Sequence, residues 1–573
     1  MISKHSTSQK FNIGNCQIGG DAEVSVQSMT STSTKDIEAT VQQCLRMAKA
    51  GAQMIRMTAR DVKEAENLKI IKDELYSLGF DIPIIADVHF NPKVAEVAAK
   101  LIDKVRINPG NYMDRKTGKT DWSEEEFKRD QENIKARLSD LVQICKEHQT
   151  AIRIGVNHGS LSERMINRYG DTAEGMVESA LEFIRIFMEL SFEKLVISLK
   201  ASNVIIMVQA NELMAQRMQK ENLKYPLHLG VTEAGDAEDG RIKSAVGIGS
   251  LLSQGIGQTI RVSLTEEPEY EIPVAKKILK ASLDNSWISK NASISFARRK
   301  SKKLHLIGGE QVPVVISSSN LPTSSKLKAD YRLINQTLQS NTDQIQFQKL
   351  EIDDLFNENT EPRENYYFEI FINQWKDEWF PKLKKVENLI IVINKLPATS
   401  VQKIHDWISK FETYHLDHPL ILKMNENIDE DEALIINSSI ISGPFLLNGN
   451  LDGLWIESEK FDTVDLSFGI LQASRLRVSK TEYIACPSCG RTLFNIQQKL
   501  QEIKSKTEDL KGLKIAVMGC IVNGLGEMAD ADYGYIGAGK GKVNIYKKHL
   551  LMRKNVAENN AADALLEIIR KDL

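Results

Sequence analysis

Between about residues 20 and 275 the chain repeats one unit eight times: a short β-rich apolar run that ends in polar residues, then an amphipathic helical stretch. The runs are Val24–Val26, Gln53–Met57, Ile82–Ala86, Lys104–Ile107, Ile152–Val156, Leu195–Ser198, Leu227–Val231 and Thr259–Val262. Between them, Asp36–Lys49, Val62–Leu78 and Gly175–Glu189 carry apolar residues at three- and four-residue spacing, which gives a helix one buried face. Eight alternating β and α units in about 250 residues is the size and order of a (β/α)8 TIM barrel. The competing arrangement is a doubly wound open sheet. It would carry a G-x-G-x-x-G turn after a strand, and none is found.

In such a barrel the chemistry belongs at the C-terminal ends of the strands. Those ends hold Gln27 and Ser28, Arg56 and Thr58, Asp87 and His89, Arg106 and Asn108, Arg153 and Asn157, Ser198 and Lys200, Thr232 and Glu233, and Arg261 and Ser263. Five different strands thus supply a cation: Arg56, Arg106, Arg153, Lys200 and Arg261. A ring of like charge repels itself unless an anion fills it. Guanidinium forks match phosphate oxygens, so the set points to a phosphate or diphosphate site. Asp87, His89 and Glu233 can pair with the arginines, orient a substrate hydroxyl or move a proton.

The C-terminal segment carries different chemistry. ACPSCGRT places Cys486 and Cys489 at C-x2-C spacing, and MGCIVNGLGE adds Cys520 and, seven residues on, Glu527. A strand over Lys514–Met518 delivers Cys520 to a glycine-rich turn, where Gly519, Gly524 and Gly526 let backbone approach a bulky cofactor. Zinc is the competing occupant of C-P-x-C-G, but structural zinc wants four closed ligands. Three thiolates suit a [4Fe–4S] cluster whose fourth iron takes a weaker, exchangeable ligand such as Glu527. The glycines of GYIGAGKGK lie between two β-like runs, Tyr533–Ile536 and Val543–Tyr546. They predict a hairpin rather than a nucleotide loop.

The remaining composition narrows the class. With 573 residues the chain is expected to form three domains at about 100–200 residues each. A formal net charge of −3 argues against a nucleic-acid binder. Six cysteines in so long a chain are too sparse for a disulfide scaffold. Cys16, Cys44 and Cys145 are expected to be structural, in a reducing compartment. No signal-peptide core and no apolar run of about 18 residues is present, so a cytoplasmic protein without a membrane span is expected.

Ten stretches together resemble the hydroxymethylbutenyl diphosphate synthase family, iron–sulfur enzymes of the methylerythritol phosphate route to isoprenoids. They are VQSMTSTSTKD, GAQMIRMT, IIADVHFNP, KVRINPGN, IRIGVNHGSL, ISLKASN, LHLGVTEAG, GIGSLLSQGIGQTIRVSLT, ACPSCGRT and MGCIVNGLGE. Leu525 departs from the family's N-G-P-G-E, and is expected to loosen that turn while leaving the ligand set unchanged. The resemblance implies a two-electron reductive ring opening, with loss of water, of the cyclic diphosphate of methylerythritol. It implies that Arg56, Arg106, Arg153, Lys200, Arg261 and Ser263 clamp the diphosphate, while Asn108, Asn157, Thr232, Asp87 and His89 orient the rest. Glu233 is then the candidate proton donor. Cys486, Cys489, Cys520 and the exchangeable Glu527 would hold the [4Fe–4S] cluster. With no flavin or nicotinamide fingerprint in the chain, electrons would come from ferredoxin or flavodoxin. A homodimer is compatible with the resemblance, and one site could be built from one chain or from two.

The expected domains are residues 1–279, a TIM barrel that binds the substrate diphosphate; 280–474, an insert marking the long form of the family; and 475–573, an α/β iron–sulfur domain. The insert, with strands over Val312–Ile316, Leu389–Val392 and Leu420–Leu422, reads as another α/β unit, with a degenerate barrel as one form open to it and a spacer role. Its acidic stretch Glu351–Glu364 and basic stretch Arg298–Lys303 are expected to be solvated. Two rivals stand beside this reading. A pterin enzyme of the dihydropteroate synthase type has no use for three thiols. A zinc-ribbon adaptor would want a basic, aromatic tail, whereas this tail reads as an acidic–basic helix over Val556–Leu573.

Overall fold

The computed structural model describes residues 8–112, 118–119, 121–287, 297–318, 327–357, 364–397, 399–425, 428–528 and 530–573. The chain gathers into two compact units, Met1–Leu279 with Lys480–Leu573, and Lys280–Ser479. The first and last of the three expected segments therefore share one unit, and the insert runs five residues further than expected.

The first unit opens with a hairpin, β1 (Phe11–Ile13) and β2 (Cys16–Ile18), whose apolar residues pack on Met54, Ile85, Ala151 and Val196. Eight parallel strands follow: β3 (Ser25–Met29), β4 (Met54–Ala59), β5 (Ile84–Val88), β6 (Lys104–Ile107), β7 (Ala151–Asn157), β8 (Leu195–Lys200), β9 (His228–Leu229) and β10 (Thr259–Ile260). β3 to β8 pair in sequence order, and β10 pairs with both β3 and β9. A parallel bridge between Ile197 and Leu227 closes the ring. That consecutive circular order is a TIM barrel and excludes the doubly wound sheet. The helices between strands begin on side-chain caps: Asp36 accepts from Ala39 N–H at 3.0 Å, and Ser123 and Glu126 form a capping box. β9 and β10 are shorter than the apolar runs predicted. Gly230 lies under the Lys200 ammonium, where an added Cβ would stand 2.5 Å from Nζ. Beyond it the backbone bends into the mouth while keeping single bonds such as Arg261 N–H to Leu229 O, 2.9 Å.

The second unit is also a closed barrel: β11 (Val314–Ser317), β12 (Tyr331–Ile334), β13 (Thr337–Ser340), β14 (Gln346–Lys349), β15 (Tyr366–Phe371), β16 (Leu389–Lys395), β17 (Leu420–Asn425) and β18 (Gly453–Glu457). An antiparallel meander, β12–β13–β14, replaces two βα units, and the other neighbours are parallel. Trp455, Tyr331, Phe347 and Tyr367 fill it. Its strand ends are internally neutralised, with Lys423 held by Glu369 at 3.2 Å and Glu457 at 3.4 Å. Arg298 and Arg299, expected to be solvated, pair with Asp452 at 3.1 and 3.0 Å. Of the acidic stretch, Ile352–Asn357 is helical and residues 358–363 lie outside the described residues.

The C-terminal segment is a five-stranded sheet in sequence order, β19 (Glu482–Ala485), β20 (Lys514–Met518), β21 (Tyr533–Gly539), β22 (Lys542–Lys547) and β23 (Leu550–Ala557). β21 and β22 form the predicted hairpin. Two features differ from expectation. The tail helix starts at Glu558, after an edge strand, β23. The glycine-rich turn is a short helix, Ile521–Glu527, in which Leu525 packs against the apolar cluster that includes Met518, Met528 and Ile536. Trp455→Ala is expected to destabilise the second barrel by about 3–5 kcal/mol, read as faster amide exchange in β11–β18 with β3–β10 unchanged.

Candidate functional site

The strand-end residues of the first barrel and the three thiols of the C-terminal segment line one cavity, with about 790 Å³ of space between atoms, part of it continuous with solvent. Of the residues singled out from sequence, Arg56, Asp87, Arg106, Arg153, Asn157, Lys200, Thr232, Glu233, Arg261, Ser263, Cys486, Cys489, Cys520 and Glu527 all line it. His89 and Asn108 do not. Asn108 instead accepts from Gly110 N–H and donates to Ser160 Oγ, both at 3.1 Å, so it shapes its own loop. One chain supplies both walls of the cavity.

Asp87 organises the cationic wall. Its carboxylate meets Arg106 Nη1 at 3.2 Å and Arg491 Nη1 at 2.9 Å. Arg491 also donates to the Asp87 carbonyl at 3.0 Å. Burial alone would raise the Asp87 pKa, but the positive charges around it, Arg56 foremost, hold it well below the usual carboxylate range. His89 stands behind this pair, 2.7 Å from Arg106 Nη1. Burial, together with the Arg491 and Arg106 charges, drops it to about 3, so it is a neutral support.

The other cations are unequal. Arg261 is already paired with Glu271 at 3.2 Å, a partner that also accepts from Ser28. Arg56 turns its Nε and Nη2 to Met29 Sδ at 3.0 and 2.8 Å, and burial lowers it to about 10. Arg153 is buried with Nε and Nη1 lacking any hydrogen-bond partner. Lys200 is buried beside Arg153, Arg56 and Arg261. Burial first, then those charges, push its pKa well down. Polar groups left unpaired in a dry site are costly. Arg153 and Lys200 therefore mark where an anion would relieve the mouth.

The opposite wall is built by β19, β20 and the short helix. Cys486 ends β19, and Gly519 N–H donates to its Sγ at 3.2 Å. Burial and the neighbouring Glu233, Cys520 and Cys489 push the Cys486 thiol well above its ordinary range. Glu527 accepts from Asn157 Nδ2 at 2.6 Å, while its buried Oε2 has no partner. Glu233, held at φ +49°, faces Glu527 within hydrogen-bonding reach, one carboxyl of the pair holding a proton, and also meets the Thr232 hydroxyl. Burial and the facing Glu527 raise Glu233 well above the usual carboxyl range.

Among the described residues no three His, Cys, Asp or Glu converge on a single ion's position. The three thiols share a wall instead, together with an orphaned carboxylate oxygen. Three half-buried thiols and a buried carboxylate lining one cavity fit a positively charged metal group held between them.

The glycines also make close approaches within the protein. An added Cβ at Gly526 would stand 2.3 Å from the Gly159 carbonyl, at Gly519 2.8 Å from Thr492 Cγ2, and at Gly490 2.5 Å from Thr58 Oγ1. Gly526 and Gly490 seat the thiol segment on the barrel mouth, and Gly519 packs within that segment. Salt bridges from Lys480 to Asp239 and from Lys243 to Glu482, and the Ala234–Ala485 bridge, continue that seam.

Two participants escaped sequence reasoning. Arg491, two residues after Cys489, could have been found as a sixth cation beside the thiol motif. Glu271 sits in a helix far from any strand end and gave no signal.

Comparison with known proteins agrees with this geometry. Residues 8–276 match the GcpE TIM-barrel domain, and residues 482–571 match the GcpE protein C-terminal domain. A 4-hydroxy-3-methylbut-2-en-1-yl diphosphate synthase (flavodoxin) of Phocaeicola vulgatus is 43% identical, covering 98% of this chain and 97% of its own. One of Bacteroides thetaiotaomicron is 44% identical with the same coverage. One of Leptospira interrogans is 38% identical, over 98% of this chain and 96% of its own.

Gly159 has φ +78° and its added Cβ would lie 1.9 Å from Gly526 O. Gly159→Ala is therefore expected to open the seam, seen as faster amide exchange over residues 521–528 while β19–β22 stay protected. The barrel mouth, the thiol wall and the full-length match agree: this chain belongs to the GcpE family, the 4-hydroxy-3-methylbut-2-en-1-yl diphosphate synthases.

Proposed function

We propose that this cavity carries out the reductive ring opening of 2-C-methyl-D-erythritol 2,4-cyclodiphosphate to (E)-4-hydroxy-3-methylbut-2-enyl diphosphate. Two electrons and two protons enter and one water leaves. The observation that carries the reading is the pairing across one cavity of unsatisfied guanidinium atoms on Arg153 with the three thiols and the free Glu527 oxygen.

A [4Fe–4S] cluster held by Cys486, Cys489 and Cys520, with Glu527 as its exchangeable ligand, would supply electrons singly and an iron that accepts a substrate oxygen. The chain's own residues do the rest. Arg153 and Lys200 take diphosphate oxygens, relieving the cost of their burial, and Arg56 gives up its weak sulfur partner to join them. Arg106 is held by Asp87 and His89, and Arg261 by Glu271. They add field and fixed geometry without rearranging. Ser263 and Thr232 line the same mouth and donate hydroxyl hydrogen bonds. Asn157 orients Glu527, and Asn108 shapes the loop beside it. Glu233, disposed by burial to hold a proton, delivers it to the departing hydroxyl. Arg491 and Asp87 close the front of the cavity against water.

The named relatives carry flavodoxin in their names, and we take a flavodoxin-type carrier as the electron source, with ferredoxin as the other candidate. The barrel of residues 1–279 binds substrate, the C-terminal segment holds the cluster, and the insert acts as a spacer. No helix among the described residues is long and apolar enough to cross a membrane. Free thiols need a reducing compartment, for which the cytoplasm is our proposal.

Anaerobic preparations are expected to hold about four irons with matching sulfide. One tightly bound zinc would sink the reading. Glu527→Ala should retain most of that iron while turnover falls at least a hundredfold. Arg153→Met should raise KM about 10–100-fold, the loss of one or two charge-assisted hydrogen bonds. An unchanged KM removes Arg153 from the anion site.

A further inference from the structure

Three stretches of the C-terminal segment meet at Gly519, immediately before Cys520. Leu493 N–H donates to Gly519 O at 3.1 Å. Gly537, near the end of β21, lies so close that an added Cβ would stand 2.4 Å from the same oxygen. Outward from this junction the surface is apolar, with Leu493 38% and Ile521 49% exposed. The chain leaving Gly537 then turns through residues 539–542. Gly539 and Gly541 face open space, and Lys540 and Lys542 are exposed. Three residues of chain span at most about 11 Å, so Lys540 stays near the Gly519–Cys520 backbone.

The charge here is mainly positive. Tyr533–Ala557 contains six Lys and Arg and no Asp or Glu, and the one acidic residue at the turn is Glu558, whose backbone N–H donates to Gly541 O at 3.0 Å. Lys547 pairs with Asp572 and Arg553 with Glu567. Lys540, Lys542, Lys548 and Lys554 form no ion pair among the described residues. The opposite side of the thiols is taken up by the barrel, through Gly490 on Thr58, Arg491 on Asp87 and Gly526 on Gly159. A protein-sized electron donor therefore has to approach from the outer side.

We propose that Leu493, Ile521 and the Lys540–Lys542 turn form the docking face through which electrons enter, for a carrier protein that presents an acidic rim around a surface redox group. This rests on the redox reading above and assigns a seat to its partner. An apolar centre gives contact area, and unpaired rim cations steer an acidic partner. A two-fold contact of this face with its own copy would set these lysines against themselves, which disfavours a symmetric dimer as the use of the face. Each docking oxidises one reduced carrier by one electron and delivers that electron beside Cys520. Two dockings complete a turnover.

The test compares two reductants on the anaerobic, cluster-loaded full chain: reduced flavodoxin, and dithionite-reduced methyl viologen, which needs no docking face. For K540E/K542E the second-order rate of reduction by flavodoxin is expected to fall at least tenfold at low salt, with the wild-type salt dependence lost. Viologen-driven turnover should stay within twofold of wild type. Lys548 lies about 20 Å further along β22 at about 3.4 Å per residue, so K548E should stay within twofold for both reductants. Equal flavodoxin rates for K540E/K542E and wild type, or equal damage from K548E, would overturn the docking face alone. Wild type inert with viologen would instead overturn the redox reading on which it rests.

Discussion

Asp87 is the carboxylate on which the barrel mouth turns. Strand ends β4, β6, β7, β8 and β10 each bring a cation to one small volume, and the thiol segment adds Arg491. Such a concentration is unfavourable in a dry interior. It is held together because a single buried carboxylate is shared between Arg106 and Arg491, with Arg56 in its field. The same contact ties the β5 loop to the thiol segment, so charge compensation and closure of the cavity are one interaction.

What Asp87 leaves uncompensated is as informative as what it holds. Arg261 is paired with Glu271, and Arg106 binds Asp87, His89 and the Gly155 carbonyl through its Nη atoms while its Nε stays unpartnered. Arg153 keeps two unpartnered nitrogens, with Lys200 beside it on the adjoining strand, and Glu527 and Glu233 line the same cavity as a facing carboxyl pair. Positive and negative deficits therefore face each other across the cavity. An anion would satisfy the cations, and a positively charged metal group would satisfy the carboxyl and sulfur donors.

The parts legible in the sequence are those set by short-range periodicity. The eight β/α repeats and their polar ends could be read because strand direction fixes which residues reach the mouth, and the C-x2-C pair with its later cysteine because thiols are rare. Arg298 and Arg299 were misread because their partner, Asp452, lies more than 150 residues on. The second barrel's meander replaced two helices with short strands such as Tyr331–Ile334, whose half-exposed pattern carries little apolar signal. The glycines around Cys520 were correctly seen as sites of close approach. Which surface approaches them is a tertiary fact that no local pattern contains.

The order of the pieces along the chain has a consequence for synthesis. The barrel ends at Leu279 and its second wall starts at Lys480, so 200 residues are made between them. At about 5–20 residues per second that is a delay of about 10–40 s on the ribosome. Throughout it the nascent mouth has its cations but neither Arg491's grip on Asp87 nor the thiols. Closing so long a gap adds little entropy relative to a shorter one, and an insert that folds on its own shortens the effective tether. The last stretch to emerge is thus the one that completes the chamber, and it arrives with its sulfurs still accessible to whatever machinery loads them.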